Sequence, residues 1–148
     1  MASAVKWEAV WTSRGTVLTT ELNSLANGAY SAVGTEIDNS VNLDQYGKAE
    51  IYLGSLSPAA GAYVQLHMNT APGGTNYEDV PAAANPANHT VVAVIPLNTT
   101  ATSVKRVMTP MFVMQPAKTK FVLYNAAGVA LAATTNTVTL YTTNDESQ

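Results

Sequence analysis

Short stretches of strict alternation run through most of the chain. Ala49, Ile51 and Leu53 share one parity, with Lys48, Glu50 and Tyr52 on the other. Val64, Leu66 and Met68 alternate with Tyr63, Gln65 and His67, and Phe121 and Leu123 with Lys120, Val122 and Tyr124. Val138, Leu140 and Thr142 alternate with Thr137, Thr139 and Tyr141. A period of two with one apolar parity is the pattern of a strand with one face buried. Val91–Ile95 is apolar throughout and rich in β-branched residues, which predicts a strand covered on both faces. Val104–Met108 and Met111–Met114 are further strand candidates, divided by Thr109-Pro110.

Turn material separates these segments: Gly54–Gly61, Ala71–Asn76, the Ala/Pro/Asn-rich Pro81–Asn88, and Asn125–Gly128. Val129–Ala133 reads equally as a short strand or an extended loop. One helix is expected near residues 20–27. Thr19 or Thr20 caps it, Glu21 suits its positive end, Leu22, Leu25 and Ala26 share a face, and Asn27-Gly28 stops it. With so little helix and no alternation of strands and helices, the pattern predicts an all-β fold. The strand pattern on its own fits an antiparallel sandwich or barrel. At 148 residues the chain reads as one domain, with a possible N-terminal arm at 1–12 and a polar, frayed tail at 144–148.

Charge changes this picture. Only 11% of residues are charged, against about 25% in an ordinary soluble domain, while 47% are apolar. The remaining polarity is mostly Thr, Asn, Ser and Gln. A surface of that kind can be covered by another protein without stranding ions, so the composition points to life in an assembly. The net charge of −3 includes no basic stripe, which argues against a nucleic-acid partner. The longest apolar run, Val91–Leu97, is broken by Pro96 and is too short for a membrane-spanning helix. The opening residues lack the unbroken apolar stretch of a secretory signal, so the triplets Asn88-His89-Thr90 and Asn98-Thr99-Thr100 read as coincidence rather than glycosylation sites. With no cysteine, neither disulfides nor thiolate metal sites are open to the chain.

No catalytic or cofactor constellation stands out, and the chain reads as a non-enzyme. His67 is expected on the outer face of its strand and His89 in a loop, each without the converging ligands of a metal site. Glu36 and Asp38 lie close together, as do Glu78 and Asp79, but glycoside hydrolysis needs carboxylates placed across a cleft, and the adjacent Glu78 and Asp79 of a strand would point to opposite faces. The run Asp38–Asp44 is oxygen-rich enough to consider for a casual cation, yet lacks the glycine and final glutamate of an EF-hand loop. Gly-x-Ser-x-Gly, the P-loop pattern and Gly-x-Gly-x-x-Gly are all absent. Met108, Met111 and Met114 read as core filling.

The aromatic residues are the better candidates for an interface. Trp7 and Trp11 either enter the domain's own core or form an arm that docks on a neighbouring subunit, where Trp is a favoured anchor. Tyr63, Tyr124 and Tyr141 occupy outward strand positions, which suits an interface or a sugar platform.

Several segments carry a resemblance. Thr35-Glu36-Ile37-Asp38-Asn39, the strand Ala49–Leu53 and Thr75-Asn76-Tyr77-Glu78-Asp79 resemble segments of small structural proteins of tailed bacteriophages. So do Pro116-Ala117-Lys118-x-Lys120-Phe121-Val122-Leu123-x-Asn125, Gly128-x-Ala130-Leu131-Ala132-Ala133 and Asn136-Thr137-Val138-x-Leu140. The similarity covers most of residues 16–143 and rests on packing and turn residues. It implies a β-sandwich or jelly-roll module that decorates or cements the capsid in the virion after assembly in host cytoplasm. The implied partners are the major capsid protein and further copies of the chain, as a homo-oligomer. The alternative expectation is a carbohydrate-binding module, or a tail or neck component, of a phage particle.

Overall fold

The computed structural model describes residues 5–7, 10–77, 90–99 and 102–147. In chain order the strands are β1 (Val5–Trp7), β2 (Thr12–Leu18), β3 (Ile37–Asp38), β4 (Tyr46–Leu56), β5 (Tyr63–Ala71) and β6 (Thr90–Pro96). They continue as β7 (Ser103–Met108), β8 (Phe112–Val113), β9 (Lys118–Ala126), β10 (Thr137–Thr143) and β11 (Asp145–Ser147). A 3-10 turn spans Thr20–Leu22, and the helix α1 spans Asn39–Asn42.

Two antiparallel sheets form a sandwich. The first has the order β2-β10-β4-β7, with β8 also on β4, and the second has the order β3-β9-β5-β6. Leaving β8 aside, the strands from β2 to β10 pass between the sheets in jelly-roll order, the first beside the last and the second beside the next to last. β1 and β11 form a separate two-stranded ribbon, pairing Val5 with Ser147 and Trp7 with Asp145.

Alternation explains the core. Ala49, Ile51 and Leu53 of β4, Val64 and Leu66 of β5, Phe121 and Leu123 of β9, and Val138 and Leu140 of β10 are fully buried in one continuous cluster. Phe121 is the largest fully buried side chain among the described residues and meets Phe112 with ring centroids 6.2 Å apart.

Part of the chain's Asn content also works inside. Asn125 Nδ2 donates to the carbonyls of Leu25 and Val129, both at 2.9 Å, while its Oδ1 accepts from Ala127 N at 2.9 Å. Asn136 Nδ2 donates to Ala132 O at 2.7 Å, and its Oδ1 accepts from Gly54 N at 3.0 Å. Asn39 Nδ2 donates to Asp44 O at 2.9 Å and Gln115 O at 2.8 Å, and its Oδ1 accepts from Asp44 N at 2.9 Å. All three are buried. Each amide satisfies backbone groups in loops or, at Gly54, in an irregular stretch of β4, which an apolar side chain could not do.

Several expectations need correction. The helix near 20–27 is a single 3-10 turn with Leu22 buried beneath it. Tertiary bonds replace a second turn: Ser24 N donates to Ala132 O and Gly28 N to Asn125 O, while Leu131 N donates to Leu25 O. α1 instead forms within the oxygen-rich run Asp38–Asp44. Asp38 Oδ1 caps it by accepting from Ser40 N, and Leu43 ends it at a φ of 54°. Val91–Ile95 is not covered on both faces; β6 ends its sheet, and Val91 and Val94 are 47% and 53% exposed. Met114 is buried, but Met108 and Met111 lie on the surface. Val129–Ala133 forms no strand, and the tail at Asp145–Ser147 is paired as β11.

Candidate interaction surfaces

The outer face of the first sheet is built by the polar parity of its strands. Register places Tyr141 of β10 opposite Lys48 of β4, Thr139 opposite Glu50, Glu50 opposite Met108 of β7, and Tyr52 opposite Arg106. Trp11, just before β2, is half-buried at this face, and Lys48 Nζ stands 5.0 Å from its ring centroid. Arg106 Nη2 donates to both carboxylate oxygens of Glu50 at 3.0 Å. That contact raises the guanidinium above its ordinary range, and Tyr141 and Tyr52 add smaller effects in the same direction. The face therefore carries Trp11, Tyr52, Tyr141, Met108 and Arg106, with Glu50 neutralising one of its two cations. Aromatic residues, Met and Arg are the types enriched where proteins meet.

Tyr63 and Tyr124 belong to the second sheet. Tyr30 forms a bridge to Tyr124, with ring centroids 4.6 Å apart, and meets His67 edge-on at 5.4 Å. Burial, with Tyr124 and Tyr63 nearby, raises the Tyr30 hydroxyl above its usual pKa. His67 is thus not the exposed residue its strand parity predicts; it is 4% exposed, because the outer face is itself covered there. Val122 is buried for the same reason.

The five aromatic candidates are therefore not one site. Trp11 and Tyr141 share the first face, and Tyr63 and Tyr124 share the second. Trp7 closes β1 in the terminal ribbon, and β1 bonds to β11 rather than to either sheet of the sandwich. Neither tryptophan lies in one continuous strand with the other, since β1 ends at Trp7 and β2 starts at Thr12. Tyr52 and Arg106 are not among the interface candidates of the sequence, and Met108 reads there as core filling. Their outward parity was legible, but their adjacency depends on β7 pairing with β4.

The acidic candidates have structural partners. Arg14 Nε and Nη2 donate to Asp44 Oδ2 and Oδ1, both at 2.7 Å, and Nε also reaches Thr142 Oγ1 at 2.9 Å. Asp38 caps α1, so the oxygen-rich run serves a turn and an ion pair. Among the described residues no group of three or more His, Asp or Glu side chains stands together as metal ligands. Glu36 accepts from Tyr77 Oη at 2.7 Å and pairs with Lys118 Nζ at 2.9 Å, while Lys120 Nζ sits 4.2 Å from the Tyr77 ring centroid. The Tyr77 hydroxyl and the Lys118 ammonium hold the Glu36 carboxyl below its usual range. Burial and then Glu36 push the Tyr77 hydroxyl well above its own. This cluster ties the start of the β5–β6 connection and the residue before β3 to β9. The readings placed on Glu78, Asp79, the Pro81–Asn88 loop and His89 lie outside the described residues.

A scan against protein-family models finds no match to the chain, and no curated protein matches it either.

Proposed function

We propose that this chain is a non-enzymatic structural protein of a tailed-bacteriophage virion, a decoration or cement subunit assembled onto the capsid in host cytoplasm. The observation that carries the reading is the outer face of the first sheet. It sets three aromatic side chains, a methionine and an arginine on one sheet face with few uncompensated charges. Such a face can be covered by a partner at little ionic desolvation cost. The low overall charge and the segments resembling phage structural proteins support the same reading.

The partners are the major capsid protein and further copies of this chain. Each subunit bridges neighbouring shell proteins, and lattice symmetry repeats a modest contact many times. A standard interface buries roughly 1,600 Å² in all, so the shell gains resistance through number rather than through any one strong contact.

The test is the copy number in purified phage particles, measured by quantitative mass spectrometry against the major capsid protein. A decoration subunit appears in hundreds of copies per particle. A count that fits a single ring indicates a neck or tail component, and absence from the particle refutes the reading. A glycan array run beside it stays blank for a cement protein.

A further inference from the structure

β6 ends the second sheet, bonded to β5 on one side and to no described strand on the other. Leu97 N donates to Ala62 O at 2.9 Å, which continues the β5–β6 pairing past Tyr63 and Pro96. In an antiparallel pair, bonded positions alternate with unbonded ones. Ile95, opposite Val64, and Ala93, opposite Leu66, therefore turn their N–H and C=O groups toward β5. Val94, opposite Gln65, turns both of its groups away. Pro96 shares the parity of Val94, and an outward position on an edge strand is where Pro forfeits no ladder bond.

Edge strands are ordinarily guarded against pairing with another chain by shortness, bulges or charge. β3 has only two residues. β2 is irregular at two points of its pairing with β10, and its Val17 carbonyl already accepts from Thr35 N. β7 carries Lys105 and Arg106. β6 has no charged residue, and Val91, Val92, Val94 and Ile95 suit a pleated surface. Its irregularity falls at Val92 and its proline at position 96, so Val94 stands clear between them. The Val94 side chain is also half exposed on the outer face of the sheet. One outward donor and one outward acceptor on the same uncharged residue make this edge complementary to itself. Val94 set opposite Val94 exchanges two reciprocal bonds, and no like charges meet.

We propose that β6 of one copy pairs antiparallel with β6 of a second copy, Val94 opposite Val94, so that two second sheets become one continuous sheet. This interface rests on the homo-oligomer part of the reading above and names the surface through which copies meet. The contact is isologous and closes as a dimer. Its two-fold axis stands perpendicular to the joined sheet, so both first sheets lie on the same side of it and their outer faces point one way. The pair can therefore meet a shell with both first faces at once. One strand edge buries less than a standard interface, so the pairing is weak in free solution. At micromolar concentration the subunits reach the shell singly. A β6 variant there keeps wild-type shell affinity and loses only cooperative loading.

The chain has no cysteine, so an introduced thiol reports unambiguously. Full-length Val94→Cys is oxidised with copper phenanthroline at near-millimolar concentration, beside Val104→Cys and Val113→Cys, whose positions on the first sheet are also exposed. Bonded residues of an antiparallel pair hold their Cα atoms roughly 5.5 Å apart, within the disulfide range of about 4.4–6.8 Å. Val94→Cys is expected to give a covalent dimer and nothing larger, in yield at least tenfold above either control. Sedimentation velocity of the wild type from micromolar to millimolar concentration is expected to show monomer passing to dimer. Val94→Pro removes the outward N–H without removing a bond to β5, and is expected to weaken the dimer at least tenfold, while Val94→Thr keeps it. A wild type that stays monomeric at millimolar concentration overturns the proposal. So does a Val94→Cys yield no better than the controls, a species larger than the dimer, or a folded Val94→Pro that dimerises as the wild type does. The readout needs no capsid: a β6 dimer in a protein absent from particles overturns the virion reading alone, and particle binding by a protein that never dimerises overturns this interface alone.

Discussion

Arg14 grips the Asp44 carboxylate with two hydrogen bonds of 2.7 Å and reaches Thr142 with a third contact of 2.9 Å. One guanidinium thereby joins β2, the loop after α1 and β10. Asp44 is 4% exposed, and Arg14 is its counter-ion.

Removing the arginine leaves a buried carboxylate without its counter-ion. Breaking one side of a buried pair costs about 3–5 kcal/mol, and because Arg14 keeps some solvent contact the lower end, about 3 kcal/mol, is expected for Arg14→Ala. Urea denaturation of the two proteins measures it. Calcium and EDTA are both expected to leave the melting temperature unchanged, since both Asp44 oxygens already face Arg14.

The Glu36 cluster makes stability depend on pH. The folded state holds the Glu36 carboxyl below its usual range. Its contribution is therefore present above the unfolded carboxylate pKa, about 4.3, and is lost as pH falls through the lower folded value. Tyr77 is raised. Its contribution is present below the unfolded value of about 10 and is lost as pH climbs beyond it. Melting temperature across pH is expected to show a steeper acid decline in the wild type than in Glu36→Gln, and a steeper alkaline decline than in Tyr77→Phe. Superimposed curves would show that the cluster adds nothing to stability.

The buried asparagines give a third test. Asn125→Leu is close in size but strands the Val129 carbonyl and the Ala127 N–H, and leaves the Leu25 carbonyl with Leu131 N as its donor. An orphaned buried group costs about 1–3 kcal/mol, so this variant is expected to lose more stability than an exposed control such as Asn98→Leu. Equal urea midpoints for the two would contradict the assigned role.

Much of the sandwich was legible because parity is a local property. Ile51, Leu66, Leu123 and Leu140 declare their faces from immediate neighbours alone. What was not legible depends on distant segments. His67 and Val122 have outward parity, and only the Tyr30 segment, which lacks any periodic signal, reveals that this face is covered. The apolar run Val91–Ile95 looks the same whether a strand is central or at an edge; position in the sheet decides, and topology sets position. Leu25 and Ala26 suited a helix, but backbone bonds to the 125–132 region outcompeted a second turn that local propensity barely favours. Parity turned Tyr63, Tyr124 and Tyr141 outward, yet it carries no record of which sheet each strand joins. The aromatic set therefore divides between two surfaces.

β1 pairs with β11 and with no strand of either sheet, so deleting Met1–Trp7 is expected to lower the melting temperature only slightly while weakening retention on particles. Thermal melts and co-sedimentation with capsids stripped of the protein measure the two effects separately. A failure to fold would make the N-terminal segment part of the core.

The central claim is that the outer face of the first sheet meets the shell. Co-sedimentation with stripped capsids tests it through two full-length variants, Tyr52→Glu with Tyr141→Glu on the first face, and Gln65→Glu with Val94→Glu on the second. The first variant is expected to lose at least tenfold in affinity, about 1.4 kcal/mol, at an unchanged melting temperature, while the second binds as the wild type does. Retained binding by the first variant, or loss confined to the second, would contradict the account.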